Sequence, residues 1–206
     1  VSGGGCNYAT GPYSTVSGGY GNTASCYYST VGGGYYNTAS CNYSTVSGGR
    51  QNTASGIRSF IGGGQLNNAS NSHANVVAGR CNTVSGCYSF IGGGFSNTNS
   101  GNYSFIGGGF CNTANGNTST ISGGYKNIAG GACSFIGGGS SNCSSGNYST
   151  IVGGFGNCSG TNSFIGGGSY NCSLGLNTII GGGCKNTSSC NFSIILIRHP
   201  KYELYV

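Results

Sequence analysis

One branched apolar residue recurs along the chain, at Val1, Val16, Val31, Val46, Ile61, Val76, Ile91, Ile106, Ile121, Ile136, Ile151, Ile165, Ile180 and Ile195. The spacing is 15 residues throughout, except for 14 between Ile151 and Ile165. A polar column keeps step with it: Asn7, Asn22, Asn37, Asn52, Asn67, Asn82, Asn97, Asn112, Asn127, Asn142, Asn157, Asn171 and Asn186. The consensus unit is Tyr-Ser-Thr/Phe-Val/Ile-Gly-Gly-Gly-x-x-Asn-Thr-Ala-Ser-Gly-Asn. The dropped residue lies between Cys158 and Asn162, in the Ser-Gly turn, where a loop can shorten while the columns stay in register.

A 15-residue unit is too short for a helix pair or a propeller blade. Two strands of about four residues joined by two turns fit it. Ser-Thr-Val and Ser-Phe-Ile suit strands, and Gly-Gly-Gly and Ala-Ser-Gly are turn chemistry that tolerates positive φ. Each unit then forms one rung, and the fold class is all-β, a parallel β-solenoid of about thirteen rungs over residues 1–195. At roughly 4.8 Å per rung the rod is about 60 Å long. The Asn column has two readings: a turn residue tolerant of left-handed backbone, or a ladder of amides, each donating to one neighbouring rung and accepting from the other.

Alternation along a strand puts the Thr/Phe column on the face opposite the Val/Ile column. Phe60, Phe90, Phe105, Phe135 and Phe164 then form an outer stripe among Thr15, Thr30, Thr45, Thr120 and Thr150. A long aromatic stripe is unusual on a monomer, so association with partner chains is expected. Two further aromatic columns, Tyr13, Tyr28, Tyr43, Tyr88, Tyr103, Tyr148 and Tyr20, Tyr35, Phe95, Phe110, Tyr125, Phe155, suit either packing or contact with sugars.

The sequence Asn162-Ser163-Phe164-Ile165-Gly166, together with turns such as Ala54-Ser55-Gly56, resembles the repeats of the head domain of trimeric autotransporter adhesins, the YadA type. The resemblance covers roughly residues 1–195 and implies a left-handed parallel β-roll with three chains side by side. It implies a homotrimeric adhesin on a cell surface; a similar repeat also suits a viral or other surface fibre. The strand motif here is one residue shorter, the turn is Gly-Gly-Gly, and this chain holds 12 Cys where that family has almost none.

Composition narrows the chemistry. Charged residues make up 4% of the chain, against about 25% in ordinary domains. The single acid is Glu203 and the two His are His73 and His199, so neither a Ser-His-acid set nor a carboxylate pair can be assembled. No catalytic residue is expected, and the chain is read as not an enzyme. The Gly triplets lack the Gly-Lys-Ser/Thr ending of a phosphate loop, so no cofactor is expected. The formal charge of +6 is spread without a basic run, which argues against nucleic-acid binding. No apolar run reaches about 18 residues, so no membrane insertion is expected in this segment. Arg50, Arg58, Arg80, Lys126 and Lys185 never stack on neighbouring rungs, which would repel by roughly 0.8 kcal/mol per pair even in water.

Cys143, Cys158 and Cys172 share one column on successive rungs, and Cys26 and Cys41 share another. Adjacent rungs lie within disulfide reach, yet three in a column leave one unpaired, and Cys also serves as a small filler. No Cys-x-x-Cys spacing points to zinc. Mostly free thiols would fit assembly in a reducing compartment. Val1 falls in mid-repeat, so the chain is expected to continue upstream. Residues 196–206, with Arg198, Pro200, Lys201 and Glu203, read as a cap or junction after the last rung.

The function expected is a non-enzymatic fibre or adhesin segment, a rigid rod on a virion or extracellular cell surface, with itself as main partner and a host receptor or surface glycan as a further one. The alternative is an ice-binding or glycan-binding solenoid. Ice binding would want a flat, regular Thr array, and Phe interrupts the Thr column of the outer stripe.

Overall fold

A computed structural model describes residues 1–196. The chain winds as a parallel β-solenoid of 13 turns. The proposed C-terminal cap, apart from Leu196, lies outside the described residues.

Each turn contributes one strand to each of two 13-stranded parallel sheets. The first sheet runs from Tyr8–Ala9 to Thr187–Ser188, the second from Thr15–Val16 to Ile194–Ile195. Every strand pairs with its equivalent one turn away, as in Thr23↔Thr38 and Val31↔Val46. The short turn is absorbed without a slip: Thr150 still pairs with Phe164, and Cys158 with Cys172. A third line of parallel bridges, from Gly5↔Tyr20 to Ser169↔Cys184, closes each rung.

The strands are two residues long, not about four. The flanking residues are taken up by corners. In each rung the residue before the Asn and the residue in the Tyr13 column take left-handed backbone, for example Leu66 (φ 57°) and Tyr103 (φ 57°). Non-glycine residues there cost roughly 1–2 kcal/mol each, and neighbouring rungs offset this: the N–H of Tyr103 bonds back to the carbonyl of Cys87 at 2.9 Å, against the upward direction of the strand bonds. Ala24 and its equivalents are strand residues of the first sheet, paired and buried, rather than part of a turn.

The core is thin. Val16, Val31, Val46, Ile61 and their equivalents to Ile180 are fully buried from the second sheet. They face Ala24, Ala39, Ala54, Ala69, Val84, Ala114 and Ala129 from the first. About half of a typical rung's interior is polar, an Asn and a Ser such as Ser44, whose hydroxyl donates to the carbonyl of Cys41 at 2.6 Å; Ala74 takes the Ser position in one rung. Where Asn99 replaces the core Ala, its amide donates to the carbonyls of Phe90 (3.0 Å) and Ser104 (3.1 Å) and its Oδ1 accepts from the Ser104 hydroxyl. Most buried polar groups are paired in this way, as is general; the hydroxyls of Ser59, Ser119 and Ser134 in the same core column have no hydrogen-bond partner.

Only the third glycine of each triplet is tied to glycine by both conformation and contact. Gly94 has φ +90°, and a Cβ there would lie 2.1 Å from the carbonyl oxygen of Gly109 and 2.8 Å from the amide nitrogen of Asn97. The middle glycine has open space; Ala78 stands at that position in one rung.

Candidate functional site

The exposed columns and the buried ladders follow from one geometry. Strict in-register stacking puts equivalent side chains on successive rungs about 4.8 Å apart. Any property of one residue therefore becomes a line along the rod.

Inside, Asn22, Asn37, Asn52, Asn67, Asn82, Asn97, Asn112, Asn127, Asn142, Asn157, Asn171 and Asn186 are buried. None has positive φ; the left-handed residue is the one before it. Asn112 is representative. Its amide donates to the carbonyls of Gly108 (3.0 Å) and Gly124 (2.9 Å) and to Oδ1 of Asn97 (3.1 Å). Its Oδ1 accepts the backbone N–H of Asn127 at 2.9 Å. The same amide thus spans its own glycine turn and the turn of the next rung. A Cβ at Gly109 would lie 2.3 Å from the carbonyl oxygen of Gly124 and 2.7 Å from the Asn112 amide nitrogen, so glycine there leaves room for this bond.

Outside, Phe60, Phe90, Phe105, Phe135 and Phe164 occupy the outward position of the second sheet. Phe60, Phe105, Phe135 and Phe164 are exposed at 36–41%, and Phe90 is half-buried. Phe90 and Phe105 stack face to face with centroids 5.3 Å apart and planes 1° apart. Ile179 and Ile194 prolong the apolar line past Phe164, both exposed. Threonines and Asn75 fill the remaining rungs.

The outward column of the first sheet was not singled out in the sequence. It reads Thr23, Thr38, Thr53, Asn68, Thr83, Thr98 and Thr113 on seven consecutive rungs. A Ser follows two residues later at Ser25, Ser40, Ser55, Ser70, Ser85 and Ser100. The signal was the Thr-x-Ser spacing, hidden because Ala-Ser-Gly looks like turn composition.

At the corners the aromatic columns stack on themselves. Tyr13, Tyr28 and Tyr43 lie 4.9 and 5.4 Å apart, and His73, Tyr88 and Tyr103 lie 4.3 and 5.2 Å apart. Interior rings of these stacks have both faces occupied, so only edges and hydroxyls reach outward. Tyr148, 66% exposed between Cys133 and Asn162, has no aromatic neighbour in its column. Isolated cations sit on rings: Arg58 over Tyr43 at 5.6 Å, Arg50 over Tyr35 at 5.5 Å and Arg80 over Phe95 at 5.7 Å. Each such contact contributes about 0.5–1 kcal/mol at an exposed site.

The 12 cysteines are free thiols. Cys143, Cys158 and Cys172 are paired strand residues on three successive rungs, half-buried on the outer face of the first sheet. The Cys158 thiol is pushed down to about 6, mainly because hydrogen bonding with Cys143 favours its thiolate; burial opposes this, and Cys172 and Ser145 add to it. Cys143 is raised because its own proton is held in that bond, with burial adding. Cys172 is raised by burial and by the charge of Cys158. Cys26 and Cys41 differ: the Cys26 sulfur donates to the carbonyl of Ser40 at 2.8 Å.

No protein-family model matches the chain, and no curated protein matches it in sequence.

Proposed function

We propose that the chain is a non-enzymatic structural fibre or adhesin segment that acts as a rigid rod on a virion or cell surface and assembles with copies of itself. The carrying observation is the outward column of the second sheet from Phe60 to Ile194, in which Phe or Ile stands on every rung but those of Asn75, Thr120 and Thr150 and most of these apolar side chains are exposed. Burying a whole Phe contributes about 1.5–3 kcal/mol. These rings are already some three-fifths covered by their own rod, so the five offer about 3–6 kcal/mol per chain. That competes with an association cost of roughly 4–15 kcal/mol, so each ring matters to the balance. The stoichiometry of three rests on the resemblance of the repeat to trimeric adhesin heads. A rod built from self-pairing ladders gives such an assembly stiffness without needing charge, and a host receptor or surface glycan is the outside partner this role implies.

Sedimentation velocity of the parent and of Phe90→Ser/Phe105→Ser/Phe135→Ser tests this reading. The variant, with its Ile column untouched, should sediment as a monomer while the parent does not. Identical sedimentation of the two would remove the stripe from the assembly.

The Thr column of the first sheet favours a second reading, an ice-binding or glycan-binding face. Its hydroxyls repeat about 4.8 Å along the rod and about 6.7 Å across it to the Ser two residues on. Thermal hysteresis lost in Thr53→Tyr/Thr83→Tyr would support the ice-binding form of it. A parent without hysteresis would dismiss that form.

A further inference from the structure

We propose that Cys143, Cys158 and Cys172 form a site for one two-coordinate thiophilic metal ion of the Cu(I) type, held linearly between Cys158 and either neighbour. The three residues are in register, Cys143↔Cys158 and Cys158↔Cys172, on one outward column. Parallel strands hold equivalent positions about 4.8 Å apart. A linear sulfur–metal–sulfur unit spans twice a metal–thiolate bond; the bond of roughly 2.3 Å at four-coordinate zinc sets an upper end of about 4.6 Å, and a two-coordinate ion falls somewhat below it. The strand spacing therefore brings two sulfurs within a side-chain rotation of the span that two-coordinate ligation needs.

The same column disfavours the commoner metals. The outer two sulfurs stand two rungs apart, about 9.6 Å, so the three cannot converge. Among the described residues no three Cys, His, Asp or Glu groups surround a common point. Tetrahedral zinc is therefore not served, whereas soft thiolates select Cu(I). A filler role fits poorly, because these side chains lie on the outer face rather than in the core. The column is Thr or Asn from Thr23 to Thr113, Ile at Ile128, Cys on the three rungs that follow, and Thr again at Thr187.

On binding, two metal–sulfur bonds form, the two thiol protons leave to solvent, and no electron is transferred. Cys158 belongs to both pairs, so it is indispensable while each neighbour can replace the other.

The test is anaerobic titration of the full reduced chain with Cu(I) buffered by a chromogenic chelator. Variants to Thr use the residue the column itself carries elsewhere, and circular dichroism checks that each keeps its fold. Cys143→Thr and Cys172→Thr should each retain the tight equivalent of the parent. Cys158→Thr and the Cys143→Thr/Cys172→Thr double variant should lose it, with affinity falling at least 100-fold. Parent and variants alike carry Cys26→Ala/Cys41→Ala, because that pair also lies on adjacent rungs of one column and could hold an ion of its own. Undiminished binding in Cys158→Thr overturns the proposal, as does loss of the site in both single flanking variants.

Discussion

Replacing Asn112 by Ala removes one rung of the buried amide column and leaves its neighbours intact. The backbone N–H of Asn127 then loses Oδ1 of Asn112, its acceptor at 2.9 Å. The carbonyl of Gly108 loses its donor at 3.0 Å, whereas that of Gly124 still accepts from Phe110 at 2.9 Å. The buried N–H is orphaned at about 1–3 kcal/mol and the part-buried carbonyl, which water can reach, at less, so the loss should be about 1–4 kcal/mol. Repeat rods unfold through neighbouring repeats rather than all at once. The assay is therefore a urea midpoint together with native-state hydrogen exchange at Asn127. The midpoint should fall, and exchange at Asn127 should accelerate far more than at Asn37, five rungs from the substitution. Asn112→Gly is the discriminating control. If Asn were there for left-handed backbone, Gly would substitute freely; if the amide bonds matter, Gly should be at least as damaging as Ala. A midpoint within about 0.5 kcal/mol of the parent, the ordinary range for neutral surface changes, would refute the reasoning.

Other outcomes follow from the same geometry. Gly94→Ala should cost at least about 2 kcal/mol in urea unfolding, from positive φ and the 2.1 Å approach to Gly109, while Gly93→Ala should be nearly neutral. Ser141→Gly should raise the melting temperature, because exposed Ser141 holds φ 57° at a cost of about 1 kcal/mol and glycine already serves that column at Gly21 and Gly156. Alkylation of Cys158 by iodoacetamide, followed by peptide mass spectrometry, should be half-maximal near pH 6 in the folded chain. Its thiolate is formed there above the lowered value and is lost as pH falls through it; unfolding should move the midpoint up toward about 8.5. A profile unmoved by unfolding would contradict the thiol column.

Much of the rod was legible because a 15-residue spacing of branched residues has few physical solutions. Two parts were not. Strand length was overestimated because the corners are occupied by Tyr103, Tyr28 and Leu66, residue types not associated with left-handed backbone. Their cost is offset by bonds to the adjacent rung, which only the assembled stack supplies. The Thr column was hidden because Thr-Ala-Ser-Gly looks like turn composition, while pairing with identical neighbours makes Thr-Ala a strand. The two readings of the Asn column likewise differ only in backbone angle and in partners one rung away, neither of which a single repeat displays.

The proposed self-association runs through the outward column of Phe60, Phe90, Phe105, Phe135 and Phe164. Light-scattering mass measured across micromolar concentrations tests it most directly. A particle of about three times the 20.5 kDa chain mass is expected; a particle of one chain mass throughout that range would rule the self-association out.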